Sequence, residues 1–136
     1  QVNPTWIHSY SQKPYEEFRL VQSKLQNKIG GCGIRVPVPD GSLTDITFNV
    51  KRVVTIEEIN AAFKLASQTN LKQILDYTED PIVSVDVIGN RNSCLFDAQL
   101  TSVIDKMVKV VGWYDNEIGY SSRIIDLILL VNKWKN

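Results

Sequence analysis

The chain has 136 residues, the length of one small domain, and its 43% hydrophobic and 22% charged residues are typical of a globular protein. Fifteen basic and fifteen acidic side chains cancel, so no overall field attracts nucleic acid or an anionic membrane. The longest apolar run, at residues 124–131, contains Asp126 and is too short to span a membrane.

The chain has two cysteines, Cys32 and Cys94, which are too few and too far apart in sequence for a disulfide framework or a zinc site. Reduced thiols in a reducing compartment are the simplest account, and they predict an intracellular protein of the cytoplasm or of an organelle interior. Cys32 lies in a glycine turn and Cys94 lies in a predicted strand, so both are expected to be buried or packed rather than reactive.

The first part of the chain predicts an extended segment, a helix and two strands. Prolines keep residues 1–14 extended, and apolar residues every three or four positions predict a helix over residues 15–28. A glycine-rich turn at residues 30–33 ends that helix. Residues 34–39 predict a strand. Residues 42–52 alternate apolar and polar side chains, which predicts a strand with one solvent-exposed face.

A capping box opens the second predicted helix. Thr55 and Glu58 are three residues apart, and their side chains can bond each other's free backbone amides at a helix start. This helix is expected to run to about residue 68, and residues 71–77 to form a short turn of helix or a loop. The β-branched residues at 82–87 then predict a strand.

The last part of the chain predicts strands followed by an apolar helix. Residues 93–96 and 99–104 predict two strands, and a tight hairpin leads into a strand at residues 107–111. The final helix places four apolar residues on one stripe: Ile124, Leu127, Ile128 and Val131. Because short turns join neighbouring strands, the fold class is predicted to be α+β, with a mixed, mainly antiparallel sheet and helices packed on one face.

Residues 113–121, with the sequence WYDNEIGYS, connect the last predicted strand to the final helix. Tyr, Asp, Asn and Glu side chains stand where strand becomes helix, and a helix start presents free N–H groups and the positive end of its dipole. Such a junction either faces a ligand or only satisfies its own backbone. Both interpretations fit the spacing.

Several phrases follow one another in the order found in one enzyme family: IRVPVP at 34–39 resembles IRVPTP, TIEEINAA at 55–62 resembles TVEEINAA, LKQILDYTE at 71–79 resembles LKGILGYTE, FDA stands at 96–98, and WYDNEIGYS resembles WYDNE-x-GYS. On these residues the chain resembles the C-terminal catalytic domain of phosphorylating glyceraldehyde-3-phosphate dehydrogenase. The resemblance implies one catalytic-domain-like unit over residues 1–136. Within it, residues 31–136 match clearly and residues 1–30 form a divergent N-terminal segment and helix.

The resemblance assigns roles to three residues near the N-terminus. Residues 7–11, IHSYS, resemble the family's VHAYT, so His8 matches the general base that activates the catalytic cysteine. Ser11 then stands near the family's phosphate-binding threonine. Arg35 matches the arginine that binds the substrate phosphate, and a planar guanidinium suits phosphate oxygens. From the residues alone, His8 can also be structural, and Arg35 can be an edge-strand arginine with its head in water.

The junction holds the residues that the resemblance assigns to the cofactor, NAD. Asn116 matches the side chain that orients the nicotinamide carboxamide, and Tyr120 matches the aromatic residue beside that ring. Tyr114 matches a residue close to the nucleophile. Each of these side chains can equally hold the junction together, and no metal site is predicted.

Two features of the family are missing from the sequence. No glycine-rich dinucleotide fingerprint lies between a strand and a helix, and no Ser-Cys-Thr-Thr-Asn phrase supplies the nucleophile. The family's long loop after the histidine is reduced to a few residues around 12–14. Because covalent catalysis needs a nucleophile beside its base, the chain alone is predicted neither to bind NAD nor to oxidise the aldehyde.

Three functions follow from this resemblance. The first is a degenerate or partial catalytic domain, inactive alone, that serves as a structural or interaction subunit of a larger assembly. The second is a fragment or split half of an active NAD-dependent dehydrogenase of glycolysis, which oxidatively phosphorylates the aldehyde. The third is a module that binds a sugar phosphate through Arg35. The expected partners are other protein chains, either assembly partners or a nucleotide-binding half, and a free monomer is not expected because apolar area would stay uncovered.

Overall fold

The computed structural model describes residues 30–134 and divides the chain into two compact units, Gln1–Val38 and Pro39–Asn136. The described part of the first unit, residues 30–38, is exposed and forms neither helix nor strand. The N-terminal segment and helix predicted for residues 1–28 lie outside the described residues.

The strand predicted at residues 34–39 is wrong. Pro37 and Pro39 have no N–H group to donate to a neighbouring strand. Between them, the Val38 N–H donates to the Val36 carbonyl at 2.9 Å, which closes a tight turn instead of a sheet ladder. The alternation of apolar residues therefore does not produce a strand here.

The second unit contains one sheet of four strands: β1 (Ser42–Asn49), β2 (Leu75–Thr78), β3 (Cys94–Ile104) and β4 (Met107–Tyr114). Their order across the sheet is β1-β4-β3-β2. β4 runs antiparallel to β1 and to β3, and β2 runs parallel to β3. The mixed, mainly antiparallel sheet predicted from the sequence is confirmed.

Two helices and one short 3-10 helix complete this unit: α1 (Ile56–Gln68), α2 (Ile118–Lys133) and the 3-10 helix Ser84–Val87. The predicted capping box is present, since the Glu58 N–H donates to Thr55 Oγ1 at 3.2 Å and the Thr55 N–H donates to Glu58 Oε2 at 3.0 Å. Arg52 adds a two-pronged contact to the same glutamate. No helix among residues 30–134 is long and apolar enough to cross a membrane.

The hydrophobic core lies between α1 and three of the four strands of the sheet, β2, β3 and β4. Its buried residues are Leu75, Phe96, Ala98, Val108 and Val110. Three α1 residues, Ile59, Phe63 and Ala66, pack against it. The Phe63 ring stacks on the Phe96 ring with centroids 4.1 Å apart. The side chains on one face of α1 thus anchor the helix to the sheet.

The strand predicted at residues 82–87 is wrong, because this segment turns into the 3-10 helix. The Val83 N–H donates to the Asp86 carboxylate at 2.8 Å, which stabilises the turn. The turn buries Val87 completely and leaves Val83 and Val85 more than half exposed. Burial of one valine therefore overrides the β propensity of the run.

Residues 71–77 and 93–104 also differ from expectation. Residues 75–78 form β2, because they pair with β3 across the sheet, which a local pattern does not reveal. The two strands predicted at 93–96 and 99–104 are one strand, β3, with an irregular register between Asp97 and Ser102. The Asn60 amide of α1 donates to the Ala98 carbonyl in this irregular stretch at 3.1 Å.

Candidate functional site

The junction between β4 and α2 is built around the carboxylate of Asp115, which is only 1% exposed. One carboxylate oxygen accepts the Gly89 N–H at 2.8 Å. The other accepts the Glu117 N–H at 2.9 Å and the Ile118 N–H at 2.8 Å. Asp115 therefore caps the first turn of α2 and ties it to the turn that contains Gly89.

The pKa of Asp115 is lowered from its ordinary value. The main cause is the Gly89 N–H, and the Ile118 N–H acts in the same direction, because both stabilise the ionised carboxylate. Sequence reasoning counted Asp115 only as one polar residue of the junction. Its spacing from the helix start was a cap signal, but its bond to Gly89 is a long-range contact that no local pattern shows.

The described structure brings Tyr114, Asn116 and Tyr120 to this one junction. Tyr114 is the last residue of β4 and is half-buried, while Asn116 is exposed. Tyr120 lies in the first turn of α2 and is 69% exposed. Ser42, which is opposite Tyr114 in the sheet, donates from its hydroxyl to Asn116 Oδ1 at 3.3 Å. This bond engages the carbonyl oxygen of the Asn116 amide and directs its NH₂ group away from Ser42.

The remaining predicted site residues belong to the first unit of the chain, Gln1–Val38. Arg35 lies in the first unit and is exposed, so its role in binding phosphate stays a prediction. His8 and Ser11 lie outside the described residues, and their roles also stay predictions. Among residues 30–134, no group of three or more His, Cys, Asp or Glu residues could hold a metal ion.

The two cysteines have different environments. Cys94 in β3 is partly buried, and burial raises the pKa of its thiol to about 11. Its Sγ fills the space above Gly112, where an added Cβ would lie 2.5 Å from the sulfur. The expectation that Cys94 is a packing cysteine is confirmed. The same expectation is wrong for Cys32, which is exposed.

A second group of buried polar side chains lies on β3. Asp97 is 3% exposed and accepts bonds from the Gln99 N–H and from Trp113 Nε1, both at 3.1 Å. Thr101 is 6% exposed and donates to the side chain of Asn60 at 2.7 Å. Because each carboxylate or hydroxyl already has a protein partner, these groups stabilise the irregular stretch of β3.

A mixed sheet covered by a capped helix, with a polar strand-to-helix junction at its end, defines an α+β domain. A family model described as "Glyceraldehyde 3-phosphate dehydrogenase, C-terminal domain" matches residues 5–116. This match covers most of the chain, and the chain belongs to that family.

Several curated proteins named glyceraldehyde-3-phosphate dehydrogenase are similar to the chain. The protein of Mycobacterium avium is 51% identical over 114 residues, which are 84% of this chain and 34% of that protein. Glyceraldehyde-3-phosphate dehydrogenase 1 of Streptomyces avermitilis is 53% identical over 112 residues, covering 82% and 34%. The protein of Mycobacterium tuberculosis strain H37Rv is 50% identical over 114 residues, covering 84% and 34%. The matched part of the chain spans about a third of the length of these relatives.

Proposed function

We propose that the chain is a catalytic-domain portion of a glyceraldehyde-3-phosphate dehydrogenase that serves as a structural or interaction subunit of a larger assembly. By itself it does not oxidise the aldehyde. The observation that carries the proposal is the state of Cys94. A cysteine nucleophile reacts as its thiolate, whereas burial holds the pKa of Cys94 at about 11 and its sulfur packs over Gly112.

Cys32, the other cysteine, is not part of the phrase that carries the family's nucleophile, because glycines surround it at residues 30–33. General acid–base groups contribute to such a reaction only when a nucleophile is within their reach. His8, the general base proposed from the resemblance, then has no catalytic thiol in this sequence to deprotonate. The reaction therefore needs a nucleophile from outside residues 1–136.

The residues of the chain fit only one end of NAD. The exposed amide of Asn116 and the exposed ring of Tyr120 suit a nicotinamide carboxamide and its ring. NAD would supply the hydride acceptor of the reaction. The adenosine and pyrophosphate parts need the glycine-rich strand-to-helix turn that this sequence does not contain. The chain alone therefore does not hold NAD.

The test is an assay of the purified chain with glyceraldehyde 3-phosphate, NAD and inorganic phosphate. We expect no reduced NAD above the level of a protein-free control. The full-length Mycobacterium tuberculosis relative, assayed under the same conditions, is the positive control. Formation of reduced NAD at a rate typical of enzymes would overturn the proposal.

A split half of an active dehydrogenase is the second candidate. The exposure of Asn116 and Tyr120 favours it, because both side chains are open to a second polypeptide. Mixing the chain with a folded part of a family member that binds NAD and carries the Ser-Cys-Thr-Thr-Asn phrase should then produce reduced NAD. Absence of activity with a partner that binds NAD would exclude this candidate and leave the structural role.

Under this proposal, the chain acts in a reducing compartment inside the cell. The exposed thiol of Cys32 would be oxidised or cross-linked in an oxidising compartment, whereas glutathione keeps such a thiol reduced inside the cell. The proposal places the chain with the soluble enzymes of glycolysis. Fractionation of the source cells, followed by detection of the chain with an antibody, tests this placement.

A further inference from the structure

The side chain of Asn116 forms its hydrogen bond within the described residues with Ser42, the first residue of β1. The Ser42 hydroxyl donates to Asn116 Oδ1 at 3.3 Å. A side-chain amide has acceptors on its oxygen and two donors on its nitrogen. Because Ser42 engages the oxygen, the amide presents its NH₂ group, and so a donor, to a molecule that binds at the junction.

The position of Ser42 is set by a close approach of two backbone segments. Gly41, the residue before it, has φ of +86°, and a Cβ added there would lie 2.5 Å from the Ser84 carbonyl oxygen. Only glycine combines this conformation with this approach. The start of β1 is therefore fixed against the 3-10 helix.

The position of Asn116 is set by the turn that follows the same 3-10 helix. The Asp115 carboxylate, next to Asn116 in the chain, accepts the Gly89 N–H of that turn at 2.8 Å. β1 and β4 also pair directly, with Ser42 opposite Tyr114 at the end of β4. Backbone contacts therefore hold the hydroxyl and the amide close together, and the orientation of the amide does not depend on a bound ligand.

An exposed aromatic ring lies near this oriented donor in the sequence. Tyr120 is in the first turn of α2, and its side chain is 69% exposed. A donor and an aromatic ring together suit a planar ligand ring that carries a carbonyl group. We infer that Ser42 is a positioning residue for nicotinamide: its hydroxyl orients the Asn116 amide so that the NH₂ group donates to the carboxamide oxygen. This inference rests on the proposed function, which assigns the nicotinamide end of NAD to this junction.

The hydroxyl of Ser42 matters because an amide without a partner can turn over. It then presents either its oxygen or its nitrogen to the ligand, and the ligand has to order the side chain as it binds. The net contribution of one hydrogen bond predicts that loss of the hydroxyl weakens nicotinamide binding about threefold or more. A bond that only stabilised the junction would change the free energy of unfolding and leave ligand binding unchanged.

The first experiment titrates the full chain with nicotinamide mononucleotide and follows the side-chain NH₂ resonances of Asn116 by NMR. The Asn116→Asp variant, which lacks these resonances, assigns them. Ser42→Ala removes the hydroxyl and Ser42→Thr keeps it. The matched control, Thr44→Val, removes a hydroxyl from an exposed residue of the same strand and keeps a β-branched side chain. Circular dichroism checks the fold of each variant.

We expect the Asn116 resonances to shift with a dissociation constant in the millimolar range. Ser42→Ala should weaken binding about threefold or more, and Ser42→Thr should restore it to within about twofold of the wild type. Thr44→Val should also stay within about twofold of the wild type. An absence of any shift at Asn116, or equal binding by Ser42→Ala and the wild type, would overturn the inference.

The second experiment needs no variant, because it tests which end of the Asn116 amide faces the ligand. The 3-acetylpyridine analogue of the mononucleotide keeps the carbonyl oxygen and replaces the NH₂ group by a methyl group. If the Asn116 NH₂ donates to the carbonyl, this analogue should bind the wild-type chain within about twofold of nicotinamide mononucleotide. Binding weaker by about threefold or more would show that the amide oxygen faces the ligand, which contradicts the orientation by Ser42.

A titration with whole NAD separates this inference from the proposed function. Dissociation constants of NAD and of the mononucleotide that agree within about tenfold are expected, because the chain holds only one end of the cofactor. Micromolar binding of NAD by the chain alone would contradict the proposed function and leave the role of Ser42 standing. Failure of the Ser42 variants to change mononucleotide binding would have the opposite meaning.

Discussion

At the scale of single residues, the junction depends on one buried carboxylate. Asp115 accepts three backbone N–H groups that belong to two segments distant in sequence. Hydrogen bonds to an ionised acceptor are about twice as strong as neutral ones. The pKa of Asp115 is lowered for this reason, mainly by the Gly89 N–H. Stability of the second unit is therefore linked to the ionisation of this residue.

The protonation of Asp115 should be visible in how the stability of the chain falls at acid pH. Because its pKa in the folded chain is below the unfolded value of 3.8, its contribution is present above that value and is lost as the pH falls through the folded pKa. We expect the Asp115→Asn variant to be less stable than the wild type at neutral pH and to lose less stability on acidification. Urea denaturation between pH 7 and acid pH measures both. A parallel pH dependence in the two proteins would contradict this account.

Cys94 should be inert in the folded chain, and Cys32 should react. Burial raises the pKa of Cys94 from 9.0 to about 11, so the thiolate is scarce at neutral pH. The stability that the buried, protonated thiol contributes is lost as the pH rises from the first of these values to the second. Alkylation at neutral pH should modify the exposed Cys32 at once and Cys94 only in denaturant. In the Cys32→Ser variant, alkylation reports on Cys94 alone. Rapid labelling of Cys94 in the native variant would exclude a packed thiol.

Gln73 adopts a left-handed backbone conformation, with φ of +67°. The family phrase LKGILGYTE has glycine at this position, where the chain has LKQILDYTE. Relief of left-handed strain is worth about 1–2 kcal/mol, and the added freedom of glycine in the unfolded chain costs about 0.4–1 kcal/mol. Gln73→Gly should therefore raise the free energy of unfolding by about 0.5–1 kcal/mol. The neighbouring Lys72→Gly should lower it, and a loss of stability in Gln73→Gly would show that the turn is not strained.

At the scale of elements, α1 and α2 show what a local pattern can predict. The capping box of Thr55 and Glu58 specified the start of α1 correctly, because all its partners are within three residues. The apolar stripe of α2 specified a helix correctly. The pattern does not tell what covers that stripe, because this depends on surfaces outside the helix. Within the described residues nothing buries it.

The segments that were mispredicted are those whose structure depends on distant contacts. Residues 82–87 have the composition of a strand, but the burial of Val87 and the cap from Asp86 select a 3-10 helix. Residues 75–78 form β2 only because they pair with β3. For the candidate site, the sequence predicted a polar junction with Asn116 and Tyr120. It did not reveal the bond from Asp115 to Gly89, which joins two distant segments.

The contribution of the capping box to α1 can be measured directly. Thr55→Ala removes the side-chain acceptor of the Glu58 N–H and should lower the free energy of unfolding by about 0.5–2 kcal/mol. Ser67→Ala, near the other end of α1, is the control, since its hydroxyl bonds only the Lys64 carbonyl. Its effect should stay within about 0.5 kcal/mol. Equal changes in the two variants, measured by urea denaturation, would mean that the cap does not determine the helix start.

At the scale of the whole molecule, the second unit of the chain is a well-formed domain. The sheet, α1 and the junction are held by buried contacts and satisfied polar groups. Within the described residues the apolar side chains of α2, such as Leu127 and Ile128, stay exposed, and the sequence contains neither the dinucleotide fingerprint nor the nucleophile phrase.

The activity of the chain alone is the most direct test of this account. The purified wild-type chain is mixed with glyceraldehyde 3-phosphate, NAD and phosphate, and the absorbance of reduced NAD is followed at neutral and alkaline pH. The account predicts the rate of the protein-free control throughout, because neither cysteine belongs to the phrase that carries the family's nucleophile. A rate that approaches that of the Mycobacterium tuberculosis relative and disappears in a Cys32→Ser or Cys94→Ser variant would contradict it.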